Sequence, residues 1–127
     1  MIVDDPTTLA EVIAVCDRYE AALMANDVET LDALFWHSPH ALRYGVGENL
    51  YGFDEISSFR TVRAGGSPKR SVLRRVITTH GTDFATANLE FRREGATRIG
   101  RQSQTWIRTA EGWKIAAAHV SLMADMS

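Results

Sequence analysis

Apolar residues recur at Leu9, Val12, Cys16, Tyr19 and Leu23, in steps of three and four, which predicts an amphipathic helix from about 8 to 25. Asp5-Pro6-Thr7-Thr8 brings capping side chains and a proline to its start. Glu11 follows Thr8 by three, as in a capping box. Asn26-Asp27 breaks this pattern and caps a second helix over about 27–36, with Val28, Leu31, Leu34 and Phe35 inward and Pro39 closing the segment. Phe53, Ile56, Phe59 and Val62 predict a third helix over about 53–63, with Asp54 and Glu55 in the first turn, where the helix dipole favours them. Between these helices, HALRYGV and ENLYG form a short hairpin around Gly47. Beyond the loop AGGSPK the period becomes two. Strands are expected over Val72 to Thr79, Phe84 to Arg92, Arg98 to Thr109 and Trp113 to Leu122, parted by HGTD, REGA and AEG turns. Helices followed by an antiparallel meander make an α+β arrangement.

Size and composition narrow the class. The 127 residues suit one domain, expected over 1–127, with a core that needs no metal or disulfide support. A net charge of −2 gives no basic excess for releasing counterions from nucleic acid, so no nucleic-acid partner is expected. The densest basic run, RSVLRRV, is read as a solvated strand face. The single cysteine, Cys16, excludes an intrachain disulfide and sits on the apolar face of the first helix, as a packed thiol would. The first residues, MIVDDPTTLAEV, show no basic region followed by an apolar one, and no apolar run approaches a membrane span. A cytoplasmic protein without a membrane partner is expected.

The polar residues inside these patterns carry the candidate chemistry. In the last strand a strict period of two places Trp113, Ile115, Ala117, His119 and Ser121 on one face, apolar at one end and polar at the other. Such a face could line a pocket; the plainer reading of His119 is a hydrogen-bonded core or rim histidine. Trp106 suggests that Gln102 and Gln104 turn inward with it, although a one-residue slip in the AEG turn would bring in Arg101 and Ser103 instead. Tyr19 lies in the centre of an apolar stripe, so its hydroxyl needs an internal partner or a cavity. Arg43, in LRYGVGENLYG, occupies a strand running into a glycine turn, either as an edge residue open to water or as a cation awaiting an anion. His37, His40, His80 and His119 are scattered. No metal site, phosphate-binding glycine loop or nucleophile elbow is legible.

The helix stripe together with DALFW, RYGVGENLYGFDEI, FATANLEF, RIGRQSQTWIR and GWKIAAAHVSLM resembles the AtzH-like family, which includes an oxalurate-catabolism protein, within the nuclear transport factor 2-like or SnoaL-like superfamily. The likeness spans about Leu9 to Met123; RYGVGENLYG and GRQSQTW are its specific parts. It implies a cone-shaped, strongly curved antiparallel sheet wrapped on helices around a deep pocket, commonly dimeric through the outer sheet face. It also implies a place beside amidases in cyanuric acid (s-triazine) or oxalurate breakdown. The implied activity is decarboxylation of 1,3-dicarboxyurea to urea-1-carboxylate (allophanate) without metal or organic cofactor. The implied catalytic pair falls on Tyr19 and Arg43, with His119, Ser121 and Gln102 or Gln104 expected to bind the substrate.

That chemistry suits the residues. Arg43 can clamp one carboxylate of a small dianion, and Tyr19 can supply a proton or hydrogen bond to the urea group as CO2 departs. No carbanion forms, so no electron sink is required. A different class would use the same pocket without turnover, as a small-carboxylate carrier or an amidase accessory protein. An isomerase or hydratase using His119 would want an aspartate partner, and none is placed for it.

Overall fold

The computed structural model describes residues 1–63 and 65–125. Ala64, in the loop expected at 64–69, and the final two positions of the expected domain lie outside the described residues. The helices are α1 (Pro6–Ala25), α2 (Val28–Leu34) and α3 (Phe53–Val62); the strands are β1 (Leu42–Tyr44), β2 (Asn49–Tyr51), β3 (Arg70–His80), β4 (Phe84–Arg93), β5 (Ile99–Thr109) and β6 (Gly112–Leu122). They form an α+β fold in which the helices pack on one face of a curved, unclosed six-stranded sheet of order β2-β1-β6-β5-β4-β3.

The local signals act largely as expected, with two differences. Asp5, not Thr8, caps α1: its carboxylate accepts the Thr8 amide at 3.1 Å and the Thr8 hydroxyl at 2.7 Å. The Thr8–Glu11 capping box is not made, because Glu11 reaches across to Arg108. Asp27 caps α2 as expected, accepting from the Thr30 amide. The hairpin β1–β2 forms, but β1 also pairs in parallel with β6, so the sheet is antiparallel everywhere except at this junction. Parallel pairing requires a long crossover. Here the chain from β1 to β6 carries α3 and four strands before returning.

The core lies between α1, α2 and the concave face of the sheet: Val12, Leu34, Phe35, Trp106 and Ile115 are completely or almost completely buried. Two bulges bend the sheet around it. Leu73 is the extra residue of β3, between Val72 and Arg74, and Ala116 is the extra residue of β6, between Ile115 and Ala117. The second bulge decides which side chains enter the site.

Candidate active site

Strand parity turns Arg43 inward. In β1 it stands opposite Ala118 of β6, which faces Gln104 of β5, which faces Ala87 of β4. Neighbours across a sheet share a face, so these four side chains form one row on the concave side. Ala87 and Ala118 are small, and the row leaves space beneath α1. Tyr19 descends into that space from α1 and is only 5% exposed. Its ring lies tilted against Phe35, with centroids 6.5 Å apart. Its hydroxyl makes no hydrogen bond to protein among the described residues, and it is not among the sealed, unsatisfied polar atoms either. Tyr19 and Arg43 line a common cavity of about 320 Å³, together with Glu48, Phe59, Arg63 and Gln102, and with Arg70 and Arg93 from the strand ends.

The cavity is strongly basic, and its guanidinia fall into two pairs, each on an aromatic ring. Arg43 and Arg63 stand 5.9 and 4.8 Å from the Phe59 centroid; Arg70 and Arg93 stand 4.6 and 5.7 Å from that of Phe91. One member of each pair has a carboxylate. Glu48 accepts from Arg43 at 3.0 Å, and Glu20 takes two bonds from Arg70 at 2.9 and 2.7 Å. Arg63 and Arg93 have no ion-pair partner among the described residues. Four guanidinia against two carboxylates leave a surplus of two positive charges. Burial lowers the pKa of Arg63 from its ordinary value, and proximity to Arg43 adds to the shift. Burial does the same to Arg93, with Arg70 and Arg43 contributing. Both carry charge in a place that penalises it.

The Glu48 contact depends on the glycine turn. The Glu48 carboxylate folds back over Gly45 so closely that a Cβ there would stand 1.8 Å from one of its oxygens. It also accepts from the Gly47 amide at 3.3 Å. The anion that meets Arg43 in this structure is therefore supplied by its own hairpin.

The remaining expected residues divide. Gln102 and Gln104 are both buried and inward, which settles the register in their favour over Arg101 and Ser103. Gln102 lines the cavity, whereas the Gln104 carbonyl accepts from the Trp106 indole at 3.1 Å and its amide nitrogen lacks a partner. His119 and Ser121 do not enter. The extra residue Ala116 reverses the alternation of β6, so that Trp113 and Ile115 face inward before it and Ala118 and Val120 after it. His119 is exposed on the convex face, edge-on to Tyr44 at 5.6 Å, and Ser121 lies on the same outer face. The solvated reading of RSVLRRV also fails at Arg70, whose side chain is 4% exposed beside Glu20; Arg74 is exposed, and Arg75 pairs with Asp17 at 2.6 Å.

Glu48, Arg63, Arg70 and Arg93 were not anticipated. Arg93 had a signal: Ala85, Ala87, Leu89, Phe91 and Arg93 share one face by the period of two. Arg63 follows Phe59 by four at the end of α3. Cys16 is packed as expected, its thiol pushed up to about 12 by burial. Among the described residues, no group of three or more His, Cys, Asp or Glu is placed to hold a metal ion, and no helix is long and apolar enough to cross a membrane.

A helix-lined cavity within a curved, open sheet is the nuclear transport factor 2-like fold. A nuclear transport factor 2-like superfamily protein from Salmonella enterica serovar Typhimurium superposes with a TM-score of 0.75 at 24% identity, over 95% of this chain and 94% of that one. The chain belongs to the AtzH-like family, which it matches over residues 1–126. Two solved structures are much nearer. A Pectobacterium atrosepticum protein of unknown function from the DUF3225 family is 53% identical over 96% of this chain and 95% of that one, with a TM-score of 0.93. A cystatin-like fold protein from Burkholderia xenovorans is 48% identical over 98% of each chain, with the same TM-score. No curated protein matches the chain. Family and fold fit a protein that processes small molecules.

Proposed function

We propose that the cavity decarboxylates 1,3-dicarboxyurea to urea-1-carboxylate, with Tyr19 and Arg43 as catalytic residues and no organic or metal cofactor. The observation that carries this reading is the pairing of a largely buried tyrosine, whose hydroxyl has no hydrogen-bond partner among the described residues, with a surplus of two positive charges in one cavity. A neutral or cationic ligand would leave that surplus uncompensated, whereas a small dianion matches it.

In the reaction the C–N bond to one terminal carboxylate breaks. Its electron pair passes to the urea nitrogen and CO2 leaves. One proton is taken up at that nitrogen, giving urea-1-carboxylate. Arg43 binds a carboxylate through its guanidinium, displacing or sharing Glu48. Tyr19 directs its hydroxyl at the urea group, where charge develops, and passes it the proton; solvent then restores the phenol. Gln102, on the cavity wall, hydrogen-bonds the urea amide in this reading.

The test is CO2 release from freshly generated 1,3-dicarboxyurea, with and without protein, corrected for spontaneous loss. A protein-dependent rate that disappears in Arg43→Ala is expected. A rate no greater than the spontaneous one overturns the enzymatic reading and leaves a carboxylate-binding protein.

A further inference from the structure

The two aromatic platforms give the cavity a polarity that the catalytic pair alone does not explain. Arg43 and Arg63 share Phe59 on α3, near Tyr19. Arg70 and Arg93 share Phe91 on β4, where the facing strand is Arg70–Val72 of β3. Glu20 already holds two N–H groups of Arg70, so the unsatisfied cation on this side is Arg93. Its platform is fixed from beneath. Phe91 is wholly buried, and Gly100, opposite it on β5, has no room for a side chain: a Cβ would stand 2.2 Å from the Phe91 ring. Arg93 is half-buried on the cavity wall and has no ion-pair partner among the described residues, so its guanidinium can take a carboxylate from a ligand.

We propose that Arg93, on the Phe91 platform, seats the second carboxylate of the ligand and thereby makes the cavity selective for dicarboxylates over monocarboxylates. The expected three-atom spacing between the carboxylates rests on the decarboxylase reading; the second seat itself rests on the charge distribution. Arg93 acts here as a specificity residue. The reacting end belongs to Tyr19 and Arg43, and Arg93 anchors the end that stays.

Calorimetric titration with glutarate and butyrate tests the seat without turnover, because both are inert and differ chiefly in the second carboxylate. Wild-type protein should bind glutarate roughly 10-fold or more tightly than butyrate, the scale of one charge-assisted contact. Arg93→Gln should bring glutarate down to the level of butyrate, with an unaltered circular dichroism spectrum. Arg93→Lys should keep part of the preference, since the charge remains and the fork does not. Equal binding of the two acids by wild type, or binding of neither, overturns the proposal. So does a preference undiminished in folded Arg93→Gln or Arg93→Lys, or an equal weakening of both acids. Should Arg93→Gln not fold, the lysine variant alone decides. The two readings fail separately. Dicarboxylate preference without CO2 release sinks the decarboxylase and leaves the seat, whereas CO2 release without the preference does the reverse.

Discussion

A largely buried tyrosine whose hydroxyl lacks a protein partner loses hydrogen-bond energy unless a ligand or solvent completes it, and among the described residues α1 holds Tyr19 in that condition. Tyr19→Phe keeps the ring on Phe35 and deletes only the oxygen. Thermal melting should be nearly unchanged, while CO2 release falls by ~10²-fold or more, as for a positioned proton donor. Melting far below wild type would instead make the hydroxyl structural. Glu48 allows an opposite prediction. Its carboxylate competes with the substrate for Arg43, so Glu48→Gln, which keeps an oxygen acceptor and removes the charge, should lower KM several-fold, as expected from removing a like charge a few ångströms away. A raised KM would show that Glu48 orients Arg43 rather than occupying it. Tyr19 was legible because a helix stripe left one polar residue facing in; for Arg43 the residues left water and an anion equally open, and it was the likeness to the AtzH-like family that singled it out. Glu48 was not legible, since nothing in GVGE says that its side chain folds back over Gly45. Arg63 stayed hidden because a cation at a helix end is commonly solvated.

Elements were legible to within a few residues, and the errors lie where one residue changes phase. A strict period of two carried His119 and Ser121 into the pocket; the bulge at Ala116 carries them out. Trp-Lys-Ile-Ala-Ala-Ala-His contains no glycine or proline to announce a bulge, and three consecutive alanines fit either face. The parallel pairing of β1 with β6 was equally hidden, because it joins segments separated by most of the chain. Gly100 is a more readable constraint. Gly100→Ala should destabilise the fold by about 1–3 kcal/mol in urea denaturation, the usual cost of overfilling a packed site, because the buried Phe91 ring has nowhere to go. A neutral effect would mean that the ring and its two arginines move freely. At the start of α1, the hydrogen bonds from the Thr8 side chain and amide hold the Asp5 carboxyl below its ordinary 3.8. A lowered folded-state pKa adds stability that is complete above the unfolded value and fades as pH falls through the folded one. Asp5→Ala should therefore melt earlier than wild type at pH 7, and the gap should narrow below pH 3.8. A gap independent of pH would assign the effect to something other than the charged cap.

At the scale of the whole molecule, the concave face is filled by helices and cavity, and no element among the described residues covers the convex face. Across its centre run Thr78, Thr86, Thr105 and Ala117, one from each of β3 to β6, followed by the row Val76, Asn88, Ser103 and His119. Short side chains make this surface flat enough for a second sheet to approach. Val76 and Phe84 are 45% and 42% exposed, and Ile107 stands opposite Phe84 beside them. Arg74, Glu90 and Arg101 carry charges of both signs along the next row. A two-fold axis through such a face sets apolar and small residues against their copies and allows the charges to pair across the join. We therefore expect a homodimer built on the convex face, leaving both cavities open on their far sides. Light scattering at micromolar concentration should report twice the 14.1 kDa chain mass. Thr105→Arg places a long cation in the middle of the flat row and should return the protein to 14.1 kDa without altering its circular dichroism spectrum. Because His119 belongs to this face and not to the cavity, His119→Ala should leave ligand binding unchanged while weakening association. Loss of glutarate binding in that variant, with the dimer intact, would return His119 to the site.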